Sequence, residues 1–288
     1  MNFSASYEKT KQLFEEKLYA LIDGLNNTDA TLKDAMAYSV KAGGKRFRPV
    51  LMIETAKALE VSIEEIMPFA LAIELIHTYS LIHDDLPCMD NDDFRRGKPT
   101  NHKVFGEAIA VLAGDALLNL AYETTFRAIG GIYKVNACRI LSRFAGYSGM
   151  IGGQATDVLS EGKALDTETL NFIHQNKTGK LITASVLVAS SISGDKYINE
   201  LREYGENIGL LFQITDDILD ALSTTETLGK TVGKDQKANK LTFVSLYGVE
   251  KSKELANQCL QNALKSIQDV ENNEFLVELA KYIVDRKS

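Results

Sequence analysis

Apolar residues recur along most of the chain every three to four positions, the interval that places them on one side of a helix. Over 4–25 the interval is kept by Tyr7, Leu13, Phe14, Leu18, Leu21, Ile22 and Leu25, and Gly24 with Asn26-Asn27 closes the segment. It returns over 31–42, which stops at Gly43-Gly44, and again over 50–59, 66–85, 108–129, 135–157, 165–177, 181–191 and 201–220. From 242 to 284 the faces are ordinary amphipathic ones. No sustained apolar–polar alternation occurs, and no Asn-Gly or Asp-Gly turn joins two alternating segments, so strands are not expected. The pattern predicts an all-α chain. Its 66–85 helix is apolar around much of its circumference, interrupted by Glu74, His77 and His83, which makes it the central one.

Two apolar runs end in carboxylates. Asp84-Asp85-Leu86-Pro87-Cys88-Met89-Asp90 follows the run from Leu75 to Ile82, and Asp216-Asp217-Ile218-Leu219-Asp220 follows the run from Ile208 to Ile214. On an ideal helix Asp216, Asp217 and Asp220 share a sector of about 100°. Like charges at that spacing destabilise a helix unless a cation joins them. Hard oxygen donors, with a phosphate as the bound partner, favour Mg²⁺. A single cluster would also suit a polar helix end in water; two clusters, each closing a hydrophobic helix, set themselves against that reading. Asp84 and Asp90 would lie about 120° apart on a continuous helix. That helix must therefore deform, and Pro87 supplies the means by disfavouring helical backbone at Leu86.

Gly43-Gly44-Lys45-Arg46-Phe47-Arg48-Pro49 is a basic loop entering a helix, a natural anion site. It is not a nucleotide-binding loop, because Ser39 and Arg46 stand where that motif needs glycine and Ser or Thr. Around Gly229-Lys230-Thr231 the upstream glycine is again missing, Thr224 occupying its place. The formal charge of −7 excludes nucleic acid and anionic membrane as main partners. Cys88, Cys138 and Cys259, odd in number and far apart, suit a reducing compartment and no disulfide framework. The N-terminal segment lacks an apolar signal core, and the longest uncharged stretch, 181–194, is too short for a membrane span of about 20 residues. A cytoplasmic chain forming one domain over 1–288 is expected, since no linker or low-complexity segment divides it.

Five motifs carry a resemblance. They are 43–49, the aspartate-rich 84–90 with Arg95-Arg96-Gly97-Lys98-Pro99-Thr100 behind it, Gly153-Gln154-Ala155-Thr156-Asp157, Lys177-Thr178-Gly179-Lys180, and 212–220. In this order and spacing the chain resembles the trans-isoprenyl diphosphate synthases, and within them the bacterial type of farnesyl diphosphate synthase. The four residues between Asp85 and Asp90 resemble the subtype with an insertion in the first motif. The resemblance implies about ten or more helices around a deep cavity, a homodimer, and three Mg²⁺ ions between the aspartate clusters. It implies Asp84, Asp90 and Asp216 as direct ligands, with Asp85, Asp217 and Asp220 supporting. Arg95, Lys177 and Lys230 would contact the allylic diphosphate. Lys45, Arg48, His77 and Arg96 would hold isopentenyl diphosphate, a role that competes with the plain reading of His77 as a core residue. Thr178 and Gln213 would stand beside the reacting carbons.

The implied reaction is Mg²⁺-dependent condensation of isopentenyl diphosphate with dimethylallyl or geranyl diphosphate, giving farnesyl diphosphate. Family position points to Tyr79 as the residue that stops growth at fifteen carbons, yet on a wheel Tyr79 lies about 140° from Asp84 and the small Ser80 about 40°. A twenty-carbon geranylgeranyl product is the alternative. A non-catalytic helical partner subunit is the other, but such proteins tend to lose an aspartate cluster and both are present.

Overall fold

The computed structural model describes residues 2–160, 162–163, 166–226 and 242–286, with backbone alone for 223–226. As the hydrophobic pattern predicts, these residues are almost wholly helical. In chain order they form α1 (Phe3–Asp23), α2 (Ala30–Val40), α3 (Phe47–Ala58), α4 (Ile63–Asp84), α5 (Asn101–Phe105), α6 (Glu107–Arg127), α7 (Ile132–Ala145), α8 (Met150–Ser160), α9 (Thr167–Ile173), a π-helical turn (His174–Gly179), α10 (Lys180–Ile192), α11 (Ile198–Glu226), α12 (Phe243–Ser266) and α13 (Glu274–Asp285). Side-chain caps start several of them: Asp29 accepts from the amides of Thr31 and Leu32, Ser62 from that of Glu65, and Thr242 from that of Ser245 in a capping box.

One hydrophobic cluster runs through the molecule, and α3, α4 and α10 lie inside it. α4 buries thirteen of its side chains, Glu74 among them, and in length and hydropathy could cross a membrane; most of it is enclosed by its neighbours, as befits the central helix. α10 is buried continuously from Leu181 to Ser191.

Three departures from the sequence pattern have local causes. The helix expected over 135–157 breaks at Gly146, whose backbone is extended (φ −78°, ψ −163°). A second glycine, Gly149, follows three residues later, and glycine is a poor helix former. The helix expected over 165–177 is α-helical only from Thr167 to Ile173, then widens into the π turn, which no apolar period signals. Finally, Phe94–Arg95 and Lys98–Pro99 pair as a two-residue antiparallel hairpin. Its corner residues, Arg96 (φ 53°) and Gly97 (φ 74°), both take the left-handed conformation such turns require.

Candidate active site

α4 ends at Asp84, and the chain then curls back on the helix terminus. The amide of Asp90 donates to the Asp84 carbonyl (2.9 Å), that of Asn91 to Leu86 (3.1 Å) and that of Asp92 to Asp85 (3.2 Å). The deformation expected around Pro87 thus brings Asp90 beside Asp84. Asp85 is buried and held by Arg95, whose Nε lies 2.9 Å from both carboxylate oxygens and whose Nη2 lies 2.6 Å from Oδ1. Asp84 has no such cationic hydrogen-bond partner among the described residues. Burial pushes its carboxyl up to about 6, with Lys177 pulling down and Asp90 pushing up.

On α11, Asp217 is buried and bound by the amide of Phe243 (2.8 Å) and by Gln213 Nε2 (3.2 Å). Burial still raises it to about 6. Asp216 is partly exposed and paired with Arg286, the residue that ends α13. Asp220 faces solvent. Gln213 Oε1 accepts from Thr178 Oγ1 (3.1 Å), so the two side chains expected to act together do meet.

Thr178 and Lys177 stand on the π turn. Lys177 is paired with Asp157 of α8 (2.6 Å). α8 reaches this close because of Gly153: a Cβ there would stand 2.3 Å from the Lys177 amide nitrogen. Gly153 thus sets a close approach between α8 and the π turn. Next to it, both amide atoms of Gln154 are buried with no hydrogen-bond partner among the described residues.

The basic loop divides its three cations. Arg46, in left-handed backbone, turns inward with its side chain fully buried, bound to Glu15 (2.9 Å), Glu74 (2.8 Å) and the Val40 carbonyl (2.7 Å). Lys45 and Arg48, on either side, lie in the field of Asp216. Arg96 folds over the same loop, donating to the Gly43 carbonyl. Gly44 makes room for it, since a Cβ there would meet the guanidinium carbon at 2.8 Å. Burial lowers Arg48 to about 10, offset by Glu74 of α4 and Asp216 of α11, so its field spans both aspartate helices. Burial, then Arg48, Arg96 and Arg95, holds His77 far below its usual range and therefore neutral. Lys45, Arg48, His77 and Arg96 are thus gathered in one region. Lys230 lies outside the described residues.

Tyr79 is buried edge-on to His83, ring centroids 5.7 Å apart, its hydroxyl having no partner among the described residues. His83 lies against Gly114 of α6, where a Cβ would stand 2.1 Å from the ring. Ser80 is half-buried and donates to the His77 carbonyl (2.9 Å).

The sequence reading did not find three residues of this region. Arg286 stands alone after the last apolar run, with no motif around it. His174 is buried at the start of the π turn, 3.9 Å from Asp217 and stacked on Phe243 at 5.2 Å. Asp157 lies within a quoted motif but carried no assigned role.

Among the described residues no group of three or more His, Cys, Asp and Glu is close enough together to hold an ion. The donors themselves suit Mg²⁺. They are carboxylate oxygens, and for two of them, half-buried Asp84 and buried Asp217, desolvation raises the carboxyl at a cost that a cation would relieve.

A helical bundle whose central helix and a later long helix each present aspartates to a shared basic region is the architecture of the isoprenoid synthases. The chain belongs to the polyprenyl synthetase family, whose pattern matches residues 29–282, and it is a prenyltransferase. It is 45% identical over 273 residues to the farnesyl diphosphate synthase of Micrococcus luteus, covering 93% of both chains. It is 44% identical to the chloroplastic geranylgeranyl pyrophosphate synthase of Catharanthus roseus, covering 95% of this chain and 82% of the other. An FPP/GFPP synthase from Zymomonas mobilis superposes with a TM-score of 0.87 at 35% identity, covering 98% of this chain and 99% of the other.

Proposed function

We propose that the chain is a Mg²⁺-dependent, homodimeric, single-domain farnesyl diphosphate synthase of the cytoplasm. It would join isopentenyl diphosphate to dimethylallyl or geranyl diphosphate. The observation that carries this reading is that two guanidiniums, those of Arg48 and Arg286, stand in the field of Asp216 with Nε atoms that are buried and have no partner among the described residues, while the aspartates of α4 and α11 repel their neighbours within each cluster. A diphosphate with its cations satisfies both at once.

Asp84, Asp90 and Asp216 would hold the metal ions, three per site by likeness to the family, and Asp85, Asp217 and Asp220 would support them. Bound there, Mg²⁺ would supply Lewis-acid neutralisation of the diphosphate charge. Arg95, Lys177 and Lys230 would grip the allylic diphosphate; for Arg95 and Lys177 this means exchanging Asp85 and Asp157 for phosphate oxygens. Lys45, Arg48, neutral His77 and Arg96 would position isopentenyl diphosphate. As the allylic C–O bond breaks, the Thr178 hydroxyl and Gln213 amide turn their dipoles toward the carbocation, and the apolar walls exclude water. The isopentenyl double bond then attacks the cation. The proton lost from the neighbouring carbon passes to the released diphosphate.

Fifteen carbons follow from Tyr79, a buried aromatic on α4 one turn before His83. The twenty-carbon reading rests on the small Ser80 and on the near-equal identity to a geranylgeranyl synthase. The dimer is supported by apolar side chains left exposed on α6 and α7, among them Leu112, Phe126, Ile132 and Tyr133. The test is to incubate the chain with isopentenyl diphosphate and each allylic diphosphate, with and without Mg²⁺, and to identify the prenyl alcohols after dephosphorylation. Farnesol as the main Mg²⁺-dependent product supports the reading, geranylgeraniol selects the alternative, and no turnover rejects both.

A further inference from the structure

The π turn and α11 meet in a ladder of facing pairs. At its foot two glycines touch: a Cβ on Gly209 would stand 2.7 Å from the Cα of Gly179. One turn further along α11, Gln213 Oε1 accepts from Thr178 Oγ1 at 3.1 Å. One more turn brings Asp217, and against it His174, whose Nε2 lies 3.9 Å from Asp217 Oδ2. Residues 209, 213 and 217 are four apart and so follow one face of the helix.

The last pair is unfinished. His174 is buried, and its Nε2 has no hydrogen-bond partner among the described residues. A polar group enclosed in this way is disfavoured unless it finds one. The ring is held in place by Phe243, on which it stacks with centroids 5.2 Å and planes 23° apart. Phe243 in turn gives its amide to Asp217 Oδ2 at 2.8 Å, the same oxygen that His174 faces. Gln213 Nε2 holds the other oxygen, Oδ1, at 3.2 Å. A closure of about 1 Å would give Oδ2 a second donor. With its carboxylate pinned on both oxygens, Asp217 keeps the Gln213 amide turned one way, nitrogen toward α11 and oxygen toward Thr178.

We propose that His174, in the tautomer that carries its proton on Nε2, is a positioning residue that docks on Asp217 and thereby fixes the orientation of the Gln213 amide and the Thr178 hydroxyl. This rests on the reading of Thr178 and Gln213 as the dipoles beside the carbocation. His174 acts only through those side chains.

Two replacements separate the donor from the ring. His174→Phe keeps the stack on Phe243 and removes the N–H, whereas His174→Gln gives up the stack and returns a donor at the reach of Nε2. In the full-length enzyme kcat should fall about tenfold in the Phe variant and recover in large part in the Gln variant. KM for both diphosphates should stay within about twofold of the parent. A packing role predicts the reverse, a normal Phe variant and an impaired Gln variant. That result, equal loss in both or no loss in either overturns the proposal. His174→Met, which fills the space without a donor, is read by the same criteria should the Phe variant fail to fold. Crystal structures of the variants separate this inference from the function it rests on. Even if the unaltered chain transfers no prenyl group, the Thr178–Gln213 hydrogen bond should be lost in the Phe variant and kept in the Gln variant. Its retention in the Phe variant rejects the assignment.

Discussion

At the scale of single residues, neighbours in sequence have opposite work. Arg46 neutralises buried Glu74 and half-buried Glu15, whereas Lys45 and Arg48 lie in the field of Asp216. Arg46→Met leaves Glu74 an uncompensated buried charge, a loss of about 3–5 kcal/mol by urea unfolding. Arg48→Met should cost far less stability and act instead on KM for isopentenyl diphosphate. Asp84 yields a prediction in pH. Its folded carboxyl, near 6, lies above the unfolded value of 3.8, so the folded state binds more protons between the two and loses stability as pH rises through them. Metal-free Asp84→Asn should therefore melt higher than the parent above pH 6, the gap closing toward pH 4. A gap independent of pH would mean that burial of this charge is not the cause. For Tyr79, replacement by Ala should lengthen the prenyl product, read by mass spectrometry. An unchanged product would move the stop to another residue.

Among the elements, the π turn is the one on which most depends. It presents Lys177 and Thr178, stacks His174 on Phe243 and receives α8 at Gly153. Gly153→Ala would drive a methyl group into the Lys177 backbone, at a cost of about 1–3 kcal/mol. It should also lower kcat by moving Thr178 relative to Gln213. Wild-type kcat with reduced stability would show that the turn tolerates displacement. The long amphipathic helices were legible in the sequence because a 3.6-residue period survives whatever the partners are. The Asp84–Asp90 bend was legible too, since two carboxylates six residues apart cannot share a helix face without one. The π turn and the Arg96-Gly97 corner were not. Both are settled by contacts across the fold, Gly153 against Lys177 and Gly44 beneath Arg96, which no local pattern carries.

Across the whole molecule, the site is assembled from segments far apart in the chain: α3, α4, the π turn, α11 and the end of α13. The motifs identified most of these, but Arg286 lies 70 residues beyond Asp216, outside every motif, and meets it only in the folded chain. The apolar faces of α6 and α7 argue for pairing between two copies, and Ile132→Glu should shift the molar mass by light scattering from dimer toward monomer. The account stands or falls on whether the two aspartate clusters bind one metal–diphosphate complex together. Titrating Mn²⁺ by electron paramagnetic resonance, with and without inorganic diphosphate, measures this without turnover. The account predicts that diphosphate strengthens Mn²⁺ binding in the parent chain and that Asp84→Asn and Asp216→Asn each abolish the gain. Retention of the gain in either variant would show that one cluster suffices and would contradict it.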